Sequence, residues 1–122
     1  MPHILVIDDE RPVRVVLRQM LEKEGYAVEE APDGAVGMKL LHDHLHDLII
    51  TDLFMPEKEG IETMIEVRRH FPQVKIIAMS GGGRAGALDL LPMAKSFGAL
   101  RTLAKPFERK ELLEAVRAVL EQ

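Results

Sequence analysis

Short apolar runs alternate with helix-period segments along this chain, and four of the runs end on polar residues. Asp8 and Asp9 follow ILVI, Asp52 follows LIIT, Ser80 follows VKIIAM, and Lys105 follows LRTLA. A continuous apolar run of strand length marks a strand buried on both faces, as in a parallel sheet. Between the runs lie amphipathic stretches. Pro12 opens the first, where its missing N–H costs nothing, and Val13, Val16, Leu17, Met20 and Leu21 form its apolar stripe up to Gly25. Ala27–Glu30 reads as a weaker strand, and Asp33-Gly34 starts a second helix running to about Leu41.

Asp47–Thr51 reads as a third strand, and Leu53–Gly60 as a loop closed by Gly60. Ile61, Met64, Ile65 and Val67 mark a third helix ending near Phe71-Pro72, before a strand at Val74–Met79. The run Ser80-Gly81-Gly82-Gly83 reads as a loop. Asp89 as an N-cap puts Pro92 in the first turn of a fourth helix, Leu90–Phe97, ended by Gly98. Leu100–Ala104 is a fifth strand, and Glu108–Leu120 a last helix with Leu112, Val116, Val119 and Leu120 inward. Strand and helix alternation predicts an α/β fold: a doubly wound, five-stranded parallel sheet with five helices. Residues 1–122 are expected to form one domain.

Composition narrows the function. A net charge of −4 argues against direct nucleic-acid binding, which needs a basic face. The absence of cysteine excludes a thiol nucleophile and a disulfide framework. The start lacks a signal-peptide pattern and no run is long enough for a membrane span, so a cytoplasmic protein is expected.

Open α/β sheets bind ligands beyond the carboxyl ends of their strands. With strands one and three adjacent, Asp8, Asp9 and Asp52 crowd together there, and carboxylates that close need a cation between them. An all-oxygen donor set with open positions suits Mg²⁺.

The segments ILVIDDE, IITDLFMP, IIAMSG and LAKPF resemble, in order and spacing, those of response-regulator receiver domains, across the whole chain. The resemblance implies a flavodoxin-like sheet of order 2-1-3-4-5, an example the chemotaxis receiver itself provides. It implies that Asp52 is the phosphoacceptor, taking a phosphoryl group from a phosphohistidine of a sensor histidine kinase or histidine phosphotransfer protein. Asp9 then binds Mg²⁺ directly, Asp8 largely through water, and Phe54 through its backbone carbonyl. Lys105 steadies the phosphoryl oxygens and Ser80 is the hydroxyl switch, with a cis Lys105-Pro106 bond aiming the amine. Such a domain is not an enzyme beyond its own phosphorylation and dephosphorylation, and its output is binding to a downstream protein.

The chain departs from the receiver pattern at two places. Thr102 stands where an aromatic switch residue is usual, which shifts the expected signal path to the Gly81–Gly83 loop and the fourth helix. Phe54 and Gly82, two residues past Asp52 and Ser80, offer no side chain to orient a hydrolytic water. Two alternatives stand beside a free-standing receiver. One is the receiver part of a longer DNA-binding regulator. The other is a Mg²⁺-dependent phosphohydrolase with an Asp nucleophile, against which Phe54 occupies the place of its general acid. His42, His44 and His46 are read as a flexible polar loop, with Zn²⁺ or Ni²⁺ binding the lesser reading. Arg11, Arg14 and Arg18 are read as a solvated helix face, with kinase docking the lesser reading.

Overall fold

The computed structural model describes residues 1–53, 59–81 and 94–122. The strands are β1 (His3–Ile7), β2 (Ala27–Ala31), β3 (Leu48–Asp52), β4 (Lys75–Gly81) and β5 (Arg101–Lys105). The helices are α1 (Arg11–Lys23), α2 (Gly34–Asp43) and α3 (Glu59–His70). Helical residues 94–96 follow, labelled α4, and then α5 (Arg109–Leu120). All pairings are parallel, in the order β2-β1-β3-β4-β5, as the alternation and the resemblance led one to expect. Among the described residues no helix is long and apolar enough to cross a membrane.

The apolar runs are continuous in β1, β3 and β4 because these central strands are covered on both sides. Ile4, Val6, Ile50, Ile77 and Leu103 pack with Leu17 and Leu21 of α1 and Leu112, Val116 and Val119 of α5. The alternate residues Leu5, Ile7, Ile49, Ile76 and Ala78 pack with Leu41 of α2, Met64 and Val67 of α3, and Ala94 of α4. At about 1.5–3 kcal/mol per fully buried large aliphatic side chain, these two layers are the main stabilising term.

Helix ends follow local chemistry. The Asp33 carboxylate accepts from Val36 N–H at 2.9 Å, capping α2. Glu108 and Glu111 form a reciprocal capping box at the start of α5. Gly25 and Gly98, at φ +93° and +108°, close α1 and α4 in the left-handed region. At α1 the Tyr26 N–H returns to Leu21 O and the Gly25 N–H to Glu22 O, the paired bonds of a Schellman ending.

Four expectations change. Ser80 and Gly81 lie within β4 rather than in a loop, because β5 runs on beside them, Ser80 against Ala104 and Gly81 against Lys105. Gly60 lies inside α3, where the missing Cβ lets the helix approach the end of β3. Val16 is 47% exposed, since Val13, Leu17, Met20 and Leu21 already fill the seam of α1. Leu120 is only partly buried, packed at the margin of the core. Phe54, Gly82, Gly83, Asp89, Pro92 and the predicted start of the fourth helix lie outside the described residues.

Candidate functional site

The register explains why the acids meet. Ile7 of β1 pairs with Thr51 of β3, so the next residue on each strand, Asp8 and Asp52, emerges at the same level. Asp52 in turn pairs with Met79, one residue before Ser80 on β4. Lys105 ends β5, the far neighbour of β4. Four strand ends thus deliver these side chains to one rim.

Lys105 Nζ donates to Asp8 Oδ2 at 2.7 Å and to Asp52 Oδ2 at 3.0 Å. Asp8 is fully buried and Asp52 nearly so, at 3% exposed. Charges that far from water are tolerated only when paired. Burial by itself would lower the Lys105 pKa; the hydrogen bonds and charges of Asp8 and Asp52 outweigh it, so the net shift is upward. The amine is therefore a fixed cation at neutral pH. The bond from Lys105 to Pro106 is cis.

The loop after β1 is held from several sides. Asp8 N–H donates to Ala31 O at 3.1 Å, extending the β1–β2 ladder by one rung. Asp8 Oδ1 accepts from Glu10 N–H at 2.8 Å. Arg14 Nη1 donates to the Asp8 carbonyl at 2.6 Å, and its Nε donates to Glu30 at 3.3 Å. Arg14 is thus no solvated residue: it sits largely buried between α1, β2 and the acidic loop. Arg18 pairs with Glu22 and Glu30 nearer the surface.

Carboxylate oxygens of Asp8, Asp9 and Glu10 lie within 4.8 Å of one another. Asp8 is buried, whereas Asp9 and Glu10 are exposed. Hard oxygen donors with two solvent-facing members fit a small, strongly hydrated divalent cation. Asp8, Asp52 and Lys105 are brought into direct contact, and Asp9 joins them through Asp8. Ser80 is fully buried on the adjoining strand. Phe54 lies outside the described residues. Two participants were not legible from sequence patterns. Glu10 could have been noticed as the third acid of DDE; nothing in the sequence marked Arg14 as the clamp on Asp8.

Thr102 sits half-buried in β5, opposite Ala78. The HDHLHD segment departs from the expected polar loop at three residues: His42 and Asp43 belong to α2, and His46 turns inward. His46 is buried and Nε2 is 2.7 Å from Glu29 Oε1, because the chain turns inward there to enter β3.

Comparison with known proteins follows this geometry. A family profile described as the response regulator receiver domain matches residues 4–117. The chain is 31% identical over 117 residues to sporulation initiation phosphotransferase F of Bacillus subtilis, covering 96% of this chain and 92% of that protein. It is 37% identical over 120 residues to the transcriptional regulatory protein CpxR of Escherichia coli, covering 98% of this chain but 50% of CpxR. A crystal structure of a response regulator receiver domain protein from Clostridium thermocellum superposes with a TM-score of 0.90 at 28% identity, covering 99% of this chain and 95% of that one. Strand order and these matches agree, and the chain belongs to the response regulator receiver family.

Proposed function

We propose that Asp52 accepts a phosphoryl group from a phosphohistidine of a sensor kinase or histidine phosphotransfer protein. The observation that carries this reading is the Lys105 ammonium shared between Asp8 and Asp52. A carboxylate held beside a fixed cation at an open sheet rim is positioned as a nucleophile whose incoming anion already has a counter-charge. One Asp52 oxygen forms the new bond to phosphorus, the phosphorus–nitrogen bond of the donor breaks, and the imidazole leaves with a proton. Lys105 then faces a phosphoryl oxygen in place of a carboxylate oxygen.

The neighbouring carboxylates of Asp8, Asp9 and Glu10 support Mg²⁺; on this reading Asp8, Asp9, Asp52 and the Phe54 carbonyl would hold it. When bound, Mg²⁺ supplies charge neutralisation on the phosphoryl oxygens. Ser80 is the hydroxyl that turns toward the new group. Thr102 cannot act as an aromatic relay, so the response passes through segment 81–97 toward the face of α4, β5 and α5. The domain catalyses only its own phosphorylation and slow dephosphorylation, works in the cytoplasm, and acts by binding a downstream protein.

A second reading is favoured by one finding. The chain spans half the length of CpxR, a transcriptional regulatory protein. On that reading, residues 1–122 are the receiver portion of a longer DNA-binding regulator. The phosphoryl chemistry is the same in both.

The test is beryllofluoride, a phosphoryl mimic, titrated into protein already equilibrated with saturating Mg²⁺ while amide chemical shifts are recorded. Saturable shifts at residues 8, 9, 52, 80 and 105 are expected, and none in Asp52→Asn. Equal shifts in that variant would refute the assignment.

A further inference from the structure

The acidic segment Asp8-Asp9-Glu10 is gripped by one residue of the helix that follows it. The Arg14 backbone N–H donates to Glu10 O at 3.2 Å, and its Nη1 donates to Asp8 O at 2.6 Å. Arg14 thus reaches both ends of a segment whose carboxylate oxygens lie within 4.8 Å of one another. The bond to Asp8 is charge-assisted and correspondingly short. A peptide unit is planar, so holding the Asp8 oxygen sets the tilt of the whole plane between Asp8 and Asp9, including the Cα of Asp9. With Asp8 N–H tied to Ala31 O at 3.1 Å, the main chain at Asp8 is fixed on both sides. Asp9 and Glu10 are exposed, and the Glu10 side chain makes no capping bond to α1. Their order therefore comes from the main chain that carries them.

We propose, resting on the Mg²⁺-dependent phosphoryl chemistry assigned above to this rim, that Arg14 is a positioning residue for the divalent cation. Its guanidinium sets the spacing of the Asp8, Asp9 and Glu10 carboxylates, and through that spacing the affinity for Mg²⁺. Partners that orient metal-binding groups from behind govern metal affinity although they never touch the ion. Arg14 and Lys105 hold different parts of Asp8. Arg14 takes the main-chain carbonyl, whereas Lys105 takes the carboxylate at Oδ2 together with Asp52 Oδ2. The expected division of labour is that Arg14 acts on metal binding and Lys105 on the reacting groups.

A fixed positive charge beside a cation site repels the metal unless that charge is answered. Glu30 answers it from edge strand β2. Its Oε1 accepts from Arg14 Nε at 3.3 Å, and its Oε2 accepts from Arg18 Nη1 at 3.2 Å. The Arg14 side chain is 13% exposed, so this pair is screened less than a surface bridge. The bond at Nε also aims the guanidinium, leaving Nη1 for the Asp8 carbonyl. Two donors of one rigid fork thus meet acceptors at the end of β1 and on β2. Lysine keeps the charge of arginine but is a point donor without that fork. Replacing Arg14 by lysine therefore separates positioning from charge.

The test compares wild type, Arg14→Lys and Arg18→Lys as full chains, first without metal. Amide hydrogen exchange at Asp8 and Glu10 is expected to quicken severalfold in Arg14→Lys and to stay level in Arg18→Lys, whose side chain bonds Glu22 and Glu30. Mg²⁺ titration followed by amide shifts should then give a dissociation constant raised about tenfold in Arg14→Lys and unchanged in Arg18→Lys. At saturating Mg²⁺, phosphorylation of Arg14→Lys by a small donor should return to the wild-type rate, a recovery that general loosening of the fold does not give. An unchanged dissociation constant in Arg14→Lys, a rate still depressed at saturation, or equal quickening of exchange throughout β3 would overturn the role of Arg14 alone. Wild-type protein that binds no Mg²⁺, or binds it as tightly as Asp9→Asn does, would refute the Mg²⁺ reading of the rim and the role of Arg14 with it.

Discussion

Lys105 Nζ lies 3.0 Å from Asp52 Oδ2, across 53 residues of sequence, and the same amine holds Asp8 at 2.7 Å. One cation thus keeps two buried carboxylates at a single rim. Removing it leaves like charges facing each other with little water to screen them. Lys105→Met is expected to lower stability by about 1–3 kcal/mol at neutral pH. That is less than the loss for a wholly buried pair, because solvent reaches part of the amine. Urea denaturation of both proteins measures it.

The upward pKa shift of Lys105 fixes the pH dependence of that difference. Folding favours the protonated amine, so its stabilisation is complete below the ordinary lysine value of 10.5 and is lost as pH rises through the higher folded-state value. The gap between wild type and Lys105→Met should stay level from neutral pH to about that point and then narrow. A gap that closes well below it contradicts the assignment.

Mg²⁺ should stabilise the protein by mass action, about 1.4 kcal/mol at ten times its dissociation constant. Chelation should abolish the gain, and Asp9→Asn should reduce it severalfold. Thermal melts with and without the metal decide the point. Equal gains in wild type and Asp9→Asn would place the ion elsewhere.

Gly60 connects packing to chemistry. A Cβ there would lie 2.5 Å from Asp52 O and 2.6 Å from Leu53 Cα, so either α3 or the backbone at Asp52 must move. Gly60→Ala is expected to cost about 1–3 kcal/mol. It should also slow phosphorylation of Asp52, which phosphodonor kinetics would detect.

The proposed phosphorylation of Asp52 gives Phe54, two residues on, a bearing on the lifetime of that state. An apolar ring offers nothing to orient an attacking water, whereas an amide does. Phe54→Asn should shorten the phosphoryl lifetime severalfold, measured by loss of label after donor removal. A longer lifetime in the variant contradicts this reading.

Much of this architecture was legible because parallel strands buried on both faces have a plain signature. The runs at Ile4–Ile7 and Leu48–Ile50 are unbroken apolar sequences, and the candidate site residues Asp8, Asp9 and Asp52 come just after them. What the sequence does not show is set by neighbours distant along the chain. Nothing local showed that β5 would hold Ser80 and Gly81 in a strand, because a glycine run by itself favours a loop. Gly60 looked like a stop signal, and only the approach of α3 to Asp52 shows why the residue lacks a side chain. Arg14 looked like one of three exposed cations; its role came from the position of the Asp8 carbonyl. His46 looked like part of a polar loop until Glu29, on another strand, came within 2.7 Å.

The most direct measurement of the central claim is chemical trapping of the acceptor. The protein is incubated with a small phosphodonor and Mg²⁺, reduced with borohydride, and digested for mass spectrometry. Reduction converts an aspartyl phosphate to homoserine at the modified position. The account predicts homoserine at residue 52, dependent on Mg²⁺ and much reduced in Lys105→Met. Homoserine at another aspartate, or none under conditions that label a control receiver, would contradict it.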